Sequence, residues 1–64
     1  MNTIIDLSSK TIVVTGAASG IGRSTCIVAS NQGARVVMLD LCEEGMKNTM
    51  SMMNGKGHGY YVID

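Results

Sequence analysis

Apolar residues form three short runs along this 64-residue chain, with two longer segments of helical periodicity between them. The runs are TIVVT at 11–15, RVVMLD at 35–40 and YYVI at 60–63. TIVVT is a β-branched run without polar alternation, which is typical of a strand buried on both faces in a parallel sheet. The three runs therefore predict three β-strands.

The segment at 20–32 predicts the first helix, with Ile21, Thr25 and Val28 on one face. Gly33 follows as a C-terminal glycine. The segment LCEEGMKNTMSMMNG at 41–55 predicts the second helix, with two glutamates near its positive end. Four positions at helical spacing are expected to face the sheet: Cys42, Met46, Met50 and Met53.

The predicted element order is β-α-β-α-β, which parallel strands with right-handed crossovers require. This is the first half of an α/β fold with a Rossmann-like, doubly wound parallel sheet. Strand 1 is then left at an edge, although TIVVT carries no charge or proline to protect one. We therefore expect residues 1–64 to be the N-terminal part of a single larger domain whose remainder is absent.

Three glycines follow the first strand and open the first helix. Backbone N–H groups and the helix dipole make such a turn a phosphate site. Gly16 is assigned the tight turn, Gly20 the close approach of a pyrophosphate, and Gly22 the close contact of helix and strand. Ser19 adds a hydroxyl for a phosphate. The alternative is a tight turn that binds no ligand.

Asp40 ends the second strand, eighteen residues after Gly22. A carboxylate there accepts hydrogen bonds from ribose hydroxyls and repels a 2′-phosphate. Its neighbours Leu39 and Leu41 are uncharged, which favours NAD(H) over NADP(H). A surface acid at a strand end is the alternative interpretation.

The segment TGAASGIG resembles the cofactor loop of the short-chain dehydrogenase/reductase family, T-G-x-x-x-G-x-G. The lead-in DLSSKTIVVTG, the segment QGARVVMLD and a third strand ending in an acid extend the resemblance over nearly the whole chain. The related epimerase-like group has T-G-x-x-G-x-x-G instead. The resemblance implies an oxidoreductase that transfers hydride between a nicotinamide cofactor and an alcohol or ketone.

The resemblance also implies further cofactor contacts. Asp64 would accept a hydrogen bond from the adenine amino group, unless it is a surface acid, and the backbone at Ile21 would approach the pyrophosphate. The predicted cofactor-binding residues are Gly16, Ser19, Gly20, Ile21, Gly22, Asp40, Leu41 and Asp64.

The family's catalytic groups are a Tyr-x-x-x-Lys pair, a Ser and an Asn. Tyr60 is followed four residues later by Asp64, and Tyr61 has no residue at that distance, so neither begins such a pair. We assign no catalytic residue and expect no turnover by residues 1–64 alone. The small-molecule substrate would be bound by the missing C-terminal part, and the family implies a homo-oligomer.

Composition gives few further sites. Five basic and five acidic residues cancel, which argues against nucleic-acid or membrane-surface partners. Cys26 and Cys42 are expected to be small buried residues, and His58 a solvated loop residue; together they do not make a metal pattern. Arg23 is expected to be solvated, with a phosphate contact as the alternative.

The N-terminus lacks a signal-peptide pattern, so we expect a cytoplasmic protein.

Two other functions stay open at this point. The chain could be a truncated nucleotide-binding or interaction module without catalysis, which would need a partner beside strand 1. It could also be a methyltransferase-type α/β fold, which shares a glycine-rich loop and an acid after strand 2. The T-G-x-x-x-G-x-G spacing argues against the methyltransferase.

Overall fold

The chain folds as a parallel three-stranded sheet with two helices, in the predicted β-α-β-α-β order. The computed structural model describes residues 7–63. The elements are β1 Thr11–Thr15, α1 Gly20–Asn31, β2 Arg35–Asp40, α2 Glu43–Met52 and β3 Gly59–Val62. The predicted α2 was longer at both ends, and β3 lies one residue earlier than predicted. Neither helix of this part of the chain is long and apolar enough to span a bilayer.

The sheet has the strand order β1-β2-β3, with both pairs parallel. β2 is the central strand, and its Val36 and Met38 are fully buried. β1 lies at an edge, as predicted, and Val13 at its centre is 60% exposed. The partial Rossmann-like fold expected from the sequence is therefore present.

Helix α1 packs on the sheet through small side chains. Its buried residues are Cys26, Ala29 and Ser30, whereas Ile21 and Val28 are 87% and 59% exposed. Periodicity identifies the branched side of the helix, but that side stays largely exposed. Small residues let the helix axis lie close to the strands, whereas the branched side chains lie on the flank of the helix beside β1. Burial also raises the pKa of the Cys26 thiol.

Helix α2 packs through its methionines. Met46 is fully buried, and Met50 and Met53 are half-buried against the core. The expectation that Cys42 is buried and faces the sheet is wrong. Cys42 is the exposed N-cap residue, and its Sγ accepts a hydrogen bond from the Gly45 N–H at 3.3 Å.

The connection from α2 to β3 is held by His58. The Val36 N–H donates to His58 Nδ1 at 3.0 Å, and His58 Nε2 lies 2.6 Å from the Asn54 carbonyl oxygen. Because Nδ1 accepts, the ring hydrogen is on Nε2 and donates to that oxygen. The expectation of a solvated His58 is therefore wrong: the imidazole joins the start of β2 to the loop before β3.

Candidate functional site

A cleft opens at the carboxyl end of the sheet. It has a volume of about 270 Å³ and is lined by Thr15, Gly16, Leu39, Asp40 and Ile63. Thr15 is the last residue of β1, and Leu39 and Asp40 are the last two of β2. Gly16 directly follows β1 and Ile63 directly follows β3, so all three strands contribute to the cleft. In open parallel α/β sheets this is the edge where ligands bind.

The glycine loop between β1 and α1 forms one wall of the cleft. Gly16 and Gly20 have φ values of +67° and +58°, a region that L side chains rarely adopt. Gly22 has no room for a side chain, since a Cβ there would overlap the Gly16 carbonyl. The Gly16 N–H donates to the Leu39 carbonyl at 2.9 Å, which attaches the loop to the end of β2. The positive φ of Gly16 fits a tight turn, and the crowding at Gly22 fits a close contact between α1 and the end of β1. The approach of a pyrophosphate to Gly20 stays a prediction.

Backbone N–H groups converge where α1 begins. The Arg23 N–H donates to the Ser19 carbonyl at 3.3 Å, which closes the first helical turn. The N–H groups of residues 20–22 precede that bond, in the part of a helix where donors lack intrahelical partners. Ser19 is the N-cap residue with extended backbone, and within residues 7–63 its side chain forms no capping hydrogen bond. This helix end therefore presents donors and partial positive charge to an anion.

Asp40 is held by two backbone donors. Its Oδ2 accepts from the Ala18 N–H at 3.1 Å, and its Oδ1 accepts from the Cys42 N–H at 3.0 Å. The Cys42 N–H, and next the Ala18 N–H, hold the pKa of this carboxyl below its usual value of 3.8. The group is therefore an anion at neutral pH. Each carboxylate oxygen has a second lone pair for a further donor.

Arg23 lies behind the loop and contacts α2. Its Nε donates to Thr49 Oγ1 at 2.9 Å, and its Nη2 donates to the carbonyls of Ala18 at 2.6 Å and Gly45 at 3.3 Å. The expectation of a solvated Arg23 is therefore wrong. The guanidinium joins α1, the glycine loop and α2 in one set of hydrogen bonds.

Sequence reasoning missed two residues of α2 that support the loop. A Cβ on Gly45 would lie 2.6 Å from the Ala18 Cβ, so only glycine lets α2 come this close. Thr49 is fully buried, and its Oγ1 donates to the Ala17 carbonyl at 2.7 Å. A glycine inside a helix, where it is unfavourable by about 1 kcal/mol, was the available signal for Gly45. Thr49 had no such signal.

A second, larger groove of about 720 Å³ lies between α1 and β1. Its lining is mostly apolar: Leu7, Ile12, Gly20, Ile21, Ser24, Thr25, Val28, Ala29 and Gln32. Among residues 7–63, no carboxylate or cation lines this groove, and its lining does not include the carboxyl ends of β2 and β3. The smaller cleft therefore has the better chemistry for a nucleotide.

The structure brings most of the predicted site residues together. Gly16 and Asp40 line the cleft, residues 19–22 form the adjoining helix start, and Leu41 is 66% exposed beside it. Asp64 lies outside the described residues. Within residues 7–63 no group of three or more His, Cys, Asp and Glu side chains could hold a metal ion.

Curated proteins similar to this chain are oxidoreductases. The uncharacterised oxidoreductase YxbG of Bacillus subtilis is 43% identical over 51 residues, which are 80% of this chain and 19% of YxbG. A 2,5-dichloro-2,5-cyclohexadiene-1,4-diol dehydrogenase of Sphingobium indicum is 43% identical over 59 residues, which are 92% of this chain and 23% of the dehydrogenase. The chain thus spans about a fifth of the length of these relatives.

Solved structures show the same fold. A protein of Escherichia coli CFT073, assigned to the short-chain dehydrogenases, is 30% identical with a TM-score of 0.87, over 100% of this chain and 29% of that protein. A second structure with that assignment and source, complexed with NADPH, also has 30% identity and a TM-score of 0.87, over 98% of this chain and 28% of that one.

A sequence model of the family described as short chain dehydrogenase matches residues 10–64. The match includes every strand and helix described above, the glycine loop and Asp40. The match confirms the resemblance of the glycine loop, its lead-in and the segment QGARVVMLD to this family. The methyltransferase alternative has no support from these similarities. The chain belongs to the short-chain dehydrogenase/reductase family of oxidoreductases.

Proposed function

We propose that this chain is the NAD(H)-binding part of an oxidoreductase that transfers hydride between the nicotinamide and an alcohol or ketone. One observation carries the proposal. The Asp40 carboxylate is fixed at the mouth of the cleft by the Ala18 and Cys42 N–H groups, next to the glycine loop. An anion at this place is suited to accept hydrogen bonds from an adenine ribose.

The same carboxylate supports NAD(H) over NADP(H). A 2′-phosphate would meet the negative charge of Asp40, whose pKa is lowered by backbone donors. In the part of the chain that the structure describes, the other residues lining the cleft are uncharged: Thr15, Gly16, Leu39 and Ile63. The similar Escherichia coli structure contains NADPH, so the preference has to be measured on this protein.

The residues of the loop have defined roles in this proposal. The N–H groups of residues 20–22 would hold the pyrophosphate, and the Ser19 hydroxyl would add a donor. Leu41 and Ile21 would lie along the nucleotide. The cofactor supplies the hydride donor or acceptor, and this chain binds and orients its adenine side.

The rest of the activity belongs to residues outside this chain. The curated relatives are about four to five times as long as the matched segments. We propose that the further part contains the catalytic residues and binds the small-molecule substrate. It would also form the surfaces of a homo-oligomer. Nucleic acid and membrane are not proposed as partners.

The test is equilibrium binding of NADH and NADPH to the natural gene product that contains these residues, compared with Asp40→Asn. We expect the wild type to bind NADH more tightly. Asp40→Asn should reduce that preference roughly tenfold, the size of a 1.4 kcal/mol electrostatic change. Glu44→Gln removes an equal charge from the exposed start of α2 and should leave the preference unchanged.

Each result of this binding experiment tests a different claim. An unchanged NADH/NADPH ratio in Asp40→Asn would remove the role given to Asp40. A wild type that binds neither nucleotide would contradict the proposed function. A wild type that binds NADH but oxidises or reduces no alcohol or ketone would support a binding module without catalysis.

A further inference from the structure

Both backbone polar groups of Ala18 are fixed by side chains from other elements. Its N–H donates to Asp40 Oδ2 at 3.1 Å, and its carbonyl accepts from Arg23 Nη2 at 2.6 Å. Ala18 is therefore clamped between the residue proposed to bind ribose and an arginine on α1. The amides of residues 19–22 follow directly in the chain.

Thr49 completes the clamp from α2. Its hydroxyl accepts from Arg23 Nε at 2.9 Å and has one hydrogen to donate, with the Ala17 carbonyl at 2.7 Å and the Gly45 carbonyl at 3.1 Å as acceptors. Thr49 is fully buried, so water has no access to replace the hydroxyl. Two consecutive loop carbonyls, at Ala17 and Ala18, are thus attached to the same arginine–threonine pair.

The geometry argues against a direct phosphate contact by Arg23. Both donating nitrogens point to protein oxygens: Nε to Thr49, and Nη2 to the Ala18 and Gly45 carbonyls. The planar fork of an arginine matches this arrangement, whereas a lysine has one nitrogen and cannot reach the threonine and the carbonyls in the same way. Arg23 and Thr49 therefore act on the loop through its carbonyl oxygens.

We propose that Arg23 and Thr49 are positioning residues for the cofactor loop. Thr49 on α2 holds the Ala17 carbonyl and Arg23 on α1 holds the Ala18 carbonyl, and together they keep the Ala18 N–H on Asp40 and orient the amides that receive the pyrophosphate. The inference rests on the proposed nucleotide binding. It adds that affinity depends on two residues that do not touch the ligand, because a loop held in its binding conformation does not have to be ordered when the ligand arrives.

The test compares Thr49→Val with Thr49→Ser in the natural gene product. Valine keeps the shape of threonine and removes the hydroxyl, whereas serine keeps the hydroxyl. We expect Thr49→Val to raise the Kd for NADH about fivefold to tenfold, within the range of a lost hydrogen bond, and Thr49→Ser to stay near the wild type. Met50→Ala, on the same helix but outside the clamp, destabilises the fold and should leave the Kd unchanged.

Arg23→Lys distinguishes positioning from a phosphate contact. The lysine keeps the positive charge but loses the fork, so we expect a loss of affinity similar to that of Thr49→Val. The double variant should lose little more than either single one, since both break the same clamp. An Arg23→Lys variant with wild-type affinity, together with an unaffected Thr49→Val, would overturn the inference.

Hydrogen exchange of the ligand-free protein gives a readout that does not depend on binding. We expect the Ala18 amide to exchange at least several-fold faster in Thr49→Val than in the wild type, and Thr49→Ser to restore its protection. Unchanged protection in Thr49→Val would overturn the inference even if NADH does not bind. A wild type that binds no nicotinamide nucleotide, with the exchange result as expected, would overturn the proposed function and leave the clamp established.

Discussion

Gly22 is the position in the loop with the least room. A Cβ there would overlap the Gly16 carbonyl, which is backbone and cannot rotate away. We expect Gly22→Ala to destabilise the protein by about 1–3 kcal/mol, because this overlap outweighs the better helix propensity of alanine. Thermal unfolding measures the change. Gly59→Ala is the matched control, since a Cβ at Gly59 has no atom within 4 Å, and an equal loss in both variants would contradict the explanation.

Asp40 makes stability depend on pH in a defined direction. Backbone donors lower its pKa from 3.8 in the folded state, so the carboxylate stabilises the fold above that value. This contribution disappears as the pH falls through the lowered pKa. We expect Asp40→Asn to be less stable than the wild type at neutral pH and the difference to shrink below pH 3.8. Urea midpoints over a pH series measure it, and a difference that persists in acid would contradict this origin.

The residues around the cleft were easier to predict from the sequence than the residues that hold the glycine loop in place. Gly16, Gly20, Gly22 and Asp40 were found because their spacing between strand and helix has a direct geometric reason. Arg23 was misjudged because a charged residue in the first helical turn is usually solvated, and its partners are 5 to 26 residues away in sequence. Such long-range contacts leave no local pattern.

At the scale of elements, the strands were easier to predict than the helix faces. β1 and β2 have the predicted bounds, since each is a continuous apolar run between turn residues. In α1, hydrophobicity selected Ile21 and Val28, whereas size decides which side packs: Cys26 and Ala29 are buried. A helix that lies close to a sheet needs small side chains, and hydrophobic periodicity does not measure size.

His58 links elements that backbone pairing alone does not join. Its Nδ1 accepts from the N–H of Val36, which is fully buried, and the pairing of β3 with β2 begins at the next residues, Gly59 and Val37. We expect His58→Leu to cost about 1–3 kcal/mol, because the Val36 N–H loses its acceptor without gaining water. Chemical denaturation measures the loss. Lys56→Ala, at an exposed position of the same connection, should change little, and equal effects would contradict the specific role.

At the scale of the whole molecule, topology followed from the sequence because parallel strands allow few connections. Three strands with two intervening helices can pair only through crossovers, and the order β1-β2-β3 is the simplest result. What lies beyond β1 could not be read from these residues. The relatives extend several times further, and the apolar groove beside β1 is exposed in the described part of the chain.

In the described part of the chain, one edge of β1 has no strand beside it, and this edge favours aggregation of the polypeptide. Within residues 7–63, β1 pairs with β2 alone, and Val13 is 60% exposed. Strand edges of this kind template pairing with other chains and seed amyloid-like assemblies. Residues 1–64 expressed alone should therefore form aggregates whose growth rises with concentration, and Val13→Lys should slow that growth, as followed by light scattering. Val28→Lys makes the same exchange on α1 and should slow it far less; equal slowing would point to general hydrophobicity, and the sheet edge would not be the nucleus of the aggregates.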